Sequence, residues 1–171
     1  MLRFFDVNKQ YVECLTQIEI IKRGYSKIPR FGYKENEKFI CGIVLEMNGC
    51  NYYAPISSFT EQQKSNIVIL DTDNTPIASI RFSFMFPVPD SELTIKDFSK
   101  EKLIHQRFLQ KEYKFCNSHK DEIYKLAMKV YNNVINGYST KLNASCCDFK
   151  LLENAMKNYD GYSEAAATSE E

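Results

Sequence analysis

The sequence predicts an α+β fold, with strands concentrated in the first half of the chain and helices in the second. Two apolar runs, 39–47 and 50–56, flank Asn48 and Gly49. Asn-Gly between β-rich runs is the strongest short-range hairpin signal, because both turn residues tolerate positive φ. After Ser91 the apolar residues recur at a helical spacing. Short polar links between the predicted strands favour an antiparallel, strongly twisted sheet.

Capping and turn residues mark the ends of the other elements. Asn8 is predicted to cap the first helix and Gly24 to end it, and Gly137 ends a later helix. Pro87 and Pro89 take the chain out of the sheet. Further strands are predicted over 2–7, 65–70 and 76–84, and helices over 9–22, 97–116, 118–136 and from Asp148 onward.

Length and charge bound the class of protein. The chain is long enough for one domain, placed over 1–160, and the acidic tail over 161–171 is predicted to be disordered. The 22 basic and 22 acidic residues balance, which argues against a strongly basic nucleic-acid binder. Three of the acids lie in the tail, so 19 acids remain against 22 bases and the folded body is mildly basic.

Cysteine and apolar patterns indicate the compartment. The six cysteines form no C-x-x-C pair, and the first nine residues are too charged for a secretory signal, which predicts reduced thiols in a cytoplasmic protein. No apolar run approaches the ~20 residues of a transmembrane helix. The sequence lacks a dinucleotide fingerprint, a P-loop and a zinc signature, so neither a cofactor nor a metal is expected.

The end of the second hairpin strand is the first candidate site. Ser57 and Ser58 lie there, and the polar loop that follows ends in Lys64. Two hydroxyls and an ammonium are donors for phosphate oxygens, which indicates an anion or RNA-phosphate site. Ordinary turn chemistry accounts for the same Ser-Ser pair and stays open as the alternative. Because side chains alternate along a strand, both hydroxyls reach one phosphate only if the strand ends between them.

Two basic surfaces are candidates for contacts with RNA. The loop over 24–37 interleaves cations with aromatic rings, which neutralise phosphates and stack on bases, although a solvated loop pinned by two rings has the same composition. Basic residues also outnumber acidic ones nine to five over 96–129, which indicates either an electrostatic track for RNA or a solvated face. The candidate contacts are Lys27, Arg30, Tyr33, Lys34, Lys111 and Lys114.

Acid–base catalysis by a histidine pair has little support from the spacing. His105 and His119 are fourteen residues apart, which on one continuous helix separates them by ~21 Å, and each is interpreted as a surface residue. Cleavage by the ribose 2′-hydroxyl supplies its own nucleophile, so the protein mainly holds the RNA in line and stabilises charge. Ser57 and Ser58 are therefore assigned to positioning and hydrogen bonding rather than to proton abstraction.

Three segments in this order resemble the ToxN/AbiQ toxins of bacterial type III toxin–antitoxin systems. GIVLEMNGCNYYAPISS is similar to a GIVLE-like strand, a Gly turn and a Y-x-A-P segment that ends in a hydroxyl pair. RFSFMFPVPDSEL resembles the strand exit that follows in that family, and CDFKLLENAMKNY resembles its C-terminal helix. The resemblance covers nearly the whole chain, up to Tyr159. Within this family we expect the chain to belong to the CptN branch.

The resemblance implies a compact antiparallel MazF/Kid-like (SH3-like) barrel elaborated by several helices. It implies a metal-independent endoribonuclease that acts on cellular and phage RNA and leaves a 2′,3′-cyclic phosphate and a 5′-hydroxyl. The implied inhibitor is an antitoxin RNA of tandem repeats, which the toxin cuts into pseudoknots. These occupy its active site in a closed protein–RNA assembly, such as three toxins with three RNAs. Such systems limit growth and abort phage infection.

The resemblance also implies site residues, position by position. The family's hydroxyl pair falls on Ser57 and Ser58, and a basic residue before the GIV strand falls on Lys38. The aromatic near the start of the first helix falls on Tyr11, and the loop aromatic falls on Tyr33. The serines and Lys38 are implied to be catalytic, and the two tyrosines to contact RNA.

One departure from the family pattern leaves the essential lysine open. The family often has a lysine two residues after the second hydroxyl, where this chain has Thr60, a candidate RNA contact. Either Lys64 reaches in from the loop as a catalytic residue, or Lys38 or Lys34 supplies that charge. Two other functions also stay open. They are a non-catalytic RNA-binding module and a small-barrel protein that binds a peptide at an open strand edge.

Overall fold

An antiparallel sheet and five α-helices make up the part of the chain that the computed structural model describes, residues 1–31 and 38–159. The order is β1 (Arg3–Val7), α1 (Lys9–Arg23), β2 (Ile40–Met47), β3 (Cys50–Ser57), β4 (Asn66–Leu70), β5 (Pro76–Arg81), β6 (Phe86–Pro87), β7 (Leu93–Ile95), α2 (Leu103–Ser118), α3 (Lys120–Ile135), α4 (Thr140–Ser145) and α5 (Phe149–Lys157). The predicted α+β class with an antiparallel sheet is confirmed. The predicted tail over 161–171 lies outside the described residues.

The sheet runs in the order β4-β5-β3-β2-β1-β7, with β6 paired to β3, and every pairing is antiparallel. β3 changes partner along its length. Its first six residues pair with β2, whereas Ile56 and Ser57 pair with Ile80 and Ser79 of β5. The last residue of β3 therefore stands where these two parts of the sheet meet, which we call the corner of the sheet.

The predicted hairpin is confirmed. Met47 pairs with Cys50 across the turn, and both central residues have positive φ, +54° at Asn48 and +74° at Gly49. This is the combination that two-residue hairpin turns require and that Asn-Gly adopts at low cost. The first helix is confirmed as well, and the Asn8 side chain accepts a hydrogen bond from the Gln10 backbone N–H.

Two predicted boundaries move by more than two residues, and the prediction lacks three short elements. The strand predicted over 76–84 ends at Arg81, because the chain turns there in a 3₁₀ turn over 82–84. The helix predicted from 97 begins only at Leu103, since Asp97 caps a separate 3₁₀ turn. The two- and three-residue strands β6 and β7 and the short helix α4 are too brief to leave a period in the sequence.

Helices cover the sheet around one apolar core. Within the described residues, α3 packs against β2, α5 against β6 and α1, and α2 against β4. All six cysteines are free thiols, and five of them are buried. No helix of the described chain is both long and apolar enough to cross a membrane.

A buried carboxylate joins α5 to the hairpin. Glu153 accepts hydrogen bonds from the hydroxyls of Tyr52 (2.8 Å) and Tyr131, from the Asn48 amide (3.1 Å) and from the Lys150 ammonium (3.3 Å). Burial alone would raise the pKa of Glu153, but these hydrogen bonds outweigh it and hold the pKa below its usual value. Because the folded-state pKa is lowered, this contribution to stability is present above the usual glutamate pKa and is lost as the pH falls through the folded value.

Candidate active site

A groove of about 690 Å³ lies between the end of β3 and one face of α2. From α2 it takes residues 105, 108, 109 and 112, whose spacing places them on one side of the helix. From the sheet it takes residues 56–59, and Lys38 stands at its edge just before β2. We call this the β3–α2 groove. Its lining consists of Lys38, Phe39, Ile56, Ser57, Ser58, Phe59, Ile77, Lys96, Glu101, His105, Phe108, Leu109 and Glu112.

The predicted hydroxyl pair lies in this groove. β3 ends at Ser57, and Ser58 is the first residue beyond it, so the strand ends between the two as the shared-phosphate interpretation requires. The Ser57 hydroxyl accepts a hydrogen bond from the Phe59 backbone N–H at 3.3 Å, which leaves its own O–H free to donate. Ser58 is exposed. Both hydroxyls are thus available to one ligand in the groove.

The backbone beyond the serines is fixed by β5. The Ser79 hydroxyl, opposite Ser57 in the sheet, donates a 2.6 Å hydrogen bond to the Phe59 carbonyl. The Arg81 guanidinium lies over the rings of Phe59 and Phe84, 4.4 Å and 4.7 Å from their centroids. Burial lowers the pKa of Arg81. These contacts hold the chain after β3 in one place and so position Ser57 and Ser58.

Two lysines line the groove in different states. Lys96 is almost fully buried, and its ammonium lies 3.1 Å from Asp6 and 2.7 Å from Glu101. Burial alone would lower the pKa of Lys96, but hydrogen bonds to Glu101 and Asp6 outweigh it and raise the pKa. Its charge is therefore balanced by two carboxylates. Lys38 is exposed, and no acid within residues 1–31 and 38–159 pairs with it, so it can neutralise a phosphate.

Two titratable groups in the groove were not expected from the sequence. Glu112 is 8% exposed, and burial raises its pKa to about 7. His105 is half-buried rather than the surface residue that the spacing argument predicted. That argument correctly kept His105 away from His119, which stacks on Phe115 where α2 ends and α3 begins. The signal that would have found the groove residues is the 105–108–109–112 spacing on α2.

Three other predicted residues lie away from the groove lining. Thr60 and Lys64 are exposed in the loop after Ser58, and neither lines the groove. Tyr11 is fully buried, and its hydroxyl donates a 2.7 Å hydrogen bond to the Pro87 carbonyl. Its ring packs edge-on against Tyr159. In this structure Tyr11 is a core residue, and its contact with RNA stays a prediction.

Two cations, one at the end of α1 and one in the loop that follows, lie near the aromatic ring of Tyr25 in that loop. The Arg23 guanidinium lies 4.3 Å from the centroid of the Tyr25 ring, and the Lys27 ammonium lies 5.8 Å from it. Phe31 packs against Phe86, a contact of the kind expected if aromatic rings pin a solvated loop. Arg30 is exposed. The predicted contacts Tyr33 and Lys34 lie outside the described residues.

The predicted basic track on α2 is partly neutralised. Lys111 forms an ion pair with Asp71, in the turn between β4 and β5, and this hydrogen bond lowers the pKa of Asp71. The Lys111 ammonium also lies 6.0 Å from the centroid of the Phe108 ring. Lys114 is exposed on the same helix. Of the two lysines, only Lys114 lacks an acidic partner within the described chain.

The hydrogen-bond donors that line the β3–α2 groove indicate the kind of ligand that the groove can bind. Two hydroxyls and an ammonium without an acidic partner in the described chain line one groove with an imidazole, and such donors are suited to a ribose–phosphate linkage. Among the described residues no three His, Cys, Asp or Glu side chains are grouped to hold a metal ion. The fold and the groove thus define an α+β protein whose groove carries donors for a phosphate ligand.

Comparison with known proteins gives the family. The sequence profile of the family "Toxin ToxN, type III toxin-antitoxin system" matches residues 3–157, so the chain belongs to the ToxN toxin family. It is 31% identical over 168 residues to the endoribonuclease AbiQ of Lactococcus lactis subsp. lactis, covering 89% of this chain and 86% of AbiQ.

Solved structures agree with this assignment. The structure of AbiQ, a lactococcal anti-phage endoribonuclease, superposes with a TM-score of 0.78 at 26% identity, covering 94% of this chain and 99% of that one. A second structure comes from work on type III systems whose toxin is inhibited by a non-coding RNA pseudoknot. It gives a TM-score of 0.82 at 21% identity, covering 93% and 98%, and shows the shared fold.

Proposed function

We propose that this chain is an endoribonuclease toxin of a type III toxin–antitoxin system and that it cleaves RNA in the β3–α2 groove. The attacking group is the ribose 2′-hydroxyl, and the products end in a 2′,3′-cyclic phosphate and a 5′-hydroxyl. The observation that carries the proposal is the meeting of Ser57, Ser58 and Lys38 in one groove. Membership of a family whose named relatives are endoribonucleases supports it.

The reaction needs positioning and charge stabilisation more than a protein nucleophile. The 2′-oxygen must lie in line with the phosphorus and the departing 5′-oxygen, and the non-bridging oxygens gain charge as the new bond forms. In the proposal the Ser57 and Ser58 hydroxyls donate to one non-bridging oxygen. Lys38 supplies the positive charge that the family pattern would otherwise draw from position 60, while Lys64 remains the less favoured candidate because it does not line the groove.

The proposal extends to the partners and the setting. The inhibitor is an antitoxin RNA that the toxin processes into pseudoknots, and each pseudoknot occupies the groove in a closed protein–RNA assembly. Lys114, Lys27 and Arg30 are the proposed backbone contacts of the RNA outside the groove. The targets are cellular and phage RNA in the cytoplasm, a compartment with which six free thiols are compatible.

The fold type belongs to the same proposal. A MazF/Kid-like (SH3-like) barrel elaborated by helices is supported by the antiparallel sheet and by the way β3 passes from β2 and β6 to β5. The corner where β3 meets β5 borders the β3–α2 groove. Ser57 lies at that corner.

Product chemistry tests the proposed reaction. Purified protein is incubated with a defined RNA, and the ends are identified by mass spectrometry. We expect 2′,3′-cyclic phosphate and 5′-hydroxyl ends, and no cleavage at the same junction when its ribose is replaced by 2′-deoxyribose, because the nucleophile is then absent. Ends with a 3′-hydroxyl and a 5′-phosphate, or cleavage of the deoxy-substituted junction, would exclude the mechanism. RNA that is bound and never cut would favour a non-catalytic binding module.

A further inference from the structure

The serines and Lys38 leave one requirement of the reaction unmet. When the bond between phosphorus and the 5′-oxygen breaks, its electron pair stays on that oxygen, which must gain a proton. A serine hydroxyl and a lysine ammonium hold their protons too tightly near neutral pH to give one up readily. The groove must therefore contain a group that titrates closer to neutrality.

His105 is placed to deliver the proton. It is half-buried on the groove face of α2, the face that also carries Phe108, Leu109 and Glu112. No hydrogen bond or ion pair occupies its imidazole within residues 1–31 and 38–159. Imidazole is the side chain whose ordinary titration range includes neutral pH. Within the part of the chain that the structure describes, both ring nitrogens are thus available to a ligand in the groove.

The charged groups around the imidazole suit a proton donor. Lys38 faces the groove from the segment before β2, Lys96 and Glu101 from the segment between β7 and α2, and Glu112 from α2 itself. Glu101 is already held by the Lys96 ammonium, which also binds Asp6. Glu112 lies on the same helix face two turns away, about 10 Å along the axis, and is deeply buried. His105 is more exposed than Glu112, so an RNA chain in the groove can reach it more readily.

We propose that His105 is the general acid of this groove and protonates the departing 5′-oxygen. The 2′-hydroxyl loses its proton to a solvent water as its oxygen bonds to phosphorus. The bond from phosphorus to the 5′-oxygen breaks, and the 5′-oxygen takes the proton from the His105 imidazolium, which becomes neutral imidazole. One proton leaves and one is delivered, and the products are the cyclic phosphate and the 5′-hydroxyl. This inference rests on the proposed function and adds a catalytic residue to it.

A substrate whose leaving group needs no proton tests the role directly. We compare ordinary RNA with RNA that carries a 5′-bridging sulfur at the cleaved junction, because a thiolate departs without protonation. His105→Ala and His105→Gln are each expected to lower cleavage of ordinary RNA by about 10²–10⁴-fold, the usual contribution of acid–base catalysis. Both variants are expected to cut the sulfur-bridged RNA nearly as fast as the unmodified protein. The wild-type rate on ordinary RNA should fall at alkaline pH, and this limb should vanish in the variants.

Two controls keep the outcomes distinct. Gln110→Ala changes an exposed residue of α2 that does not line the groove and is expected to retain full activity on both substrates. His105→Gln preserves the size of the side chain if His105→Ala fails to fold. Equal losses on both substrates, or rescue by sulfur in Glu112→Gln instead, would overturn the assignment to His105. Absence of cyclic-phosphate products from the unmodified protein would instead refute the proposed function itself.

Discussion

Replacing either Ser57 or Ser58 by alanine is expected to lower RNA cleavage by about 10²–10³-fold, the usual cost of removing one donor to a developing oxyanion. The reason is that each variant loses an O–H donor at the corner of the sheet where β3 ends, while Lys38 still binds the phosphate. RNA affinity should therefore change little. Growth inhibition in cells and single-turnover cleavage of a defined RNA measure the two effects separately.

A matched control for the serines is Ser91→Ala. Ser91 is exposed and does not line the groove. Its hydroxyl donates a long hydrogen bond of 3.4 Å to the neighbouring Glu92 carboxylate. This variant should remain fully toxic. If Ser57→Ala and Ser58→Ala both remain as toxic as Ser91→Ala, the groove is not the place of cleavage. If the serine variants lose toxicity together with RNA binding, the hydroxyls act in affinity rather than in the reaction step.

The largest effect on stability is expected at Glu19. This carboxylate is fully buried and accepts hydrogen bonds from the Ser26 hydroxyl (2.7 Å) and from the backbone N–H groups of Lys27 (2.8 Å) and Asp148 (2.7 Å). It also pairs with Arg23 at 3.1 Å. One side chain thus fastens the end of α1 to the following loop and to the start of α5. Arg23, which pairs with Glu19, also donates hydrogen bonds to the carbonyls of residues 143 and 146.

Glu19→Ala leaves the partly buried N–H groups of Lys27 and Asp148 without this acceptor and removes the carboxylate that pairs with Arg23. Removing one partner of such a buried set costs about 3–5 kcal/mol, against a total stability of roughly 5–15 kcal/mol for a domain. Urea unfolding should therefore show a much lower midpoint with an unchanged slope. The control is Glu13→Ala, an exposed residue on the same helix, for which a change within about 0.5 kcal/mol is expected. Similar midpoints for the two variants would show that the Glu19 cluster contributes little.

The hairpin, the first helix and the antiparallel class were predictable because they depend on local signals. Asn48 and Gly49 need positive φ whatever packs around them, and Asn8 and Gly24 mark the ends of α1 by their own chemistry. The serine pair could be proposed for the same reason, since it lies where the strand pattern stops.

What escaped prediction depends on contacts between distant segments. Glu19 and Glu153 look like ordinary helix-surface acids in the sequence, and only their donors from other elements make burial tolerable. The burial of Tyr11 could not be read from its neighbours in the sequence, because its hydroxyl donates a hydrogen bond to the carbonyl of Pro87, far along the chain. The spacing to His119 argued against a histidine pair, whereas the position of His105 beside the end of β3 depends on how α2 packs, which the sequence alone does not give.

Binding of an uncleavable RNA observed by nuclear magnetic resonance tests the central claim most directly. A short RNA with 2′-deoxyribose at the cleaved junction is titrated into isotope-labelled protein, and the amide and imidazole signals are followed. The account predicts that the largest shifts occur at Ser57, Ser58 and the His105 ring, and that Lys38→Ala weakens them. Saturable binding that leaves these signals unchanged, with its largest shifts instead at the separate cleft beside Arg23 and Asn143, would contradict it.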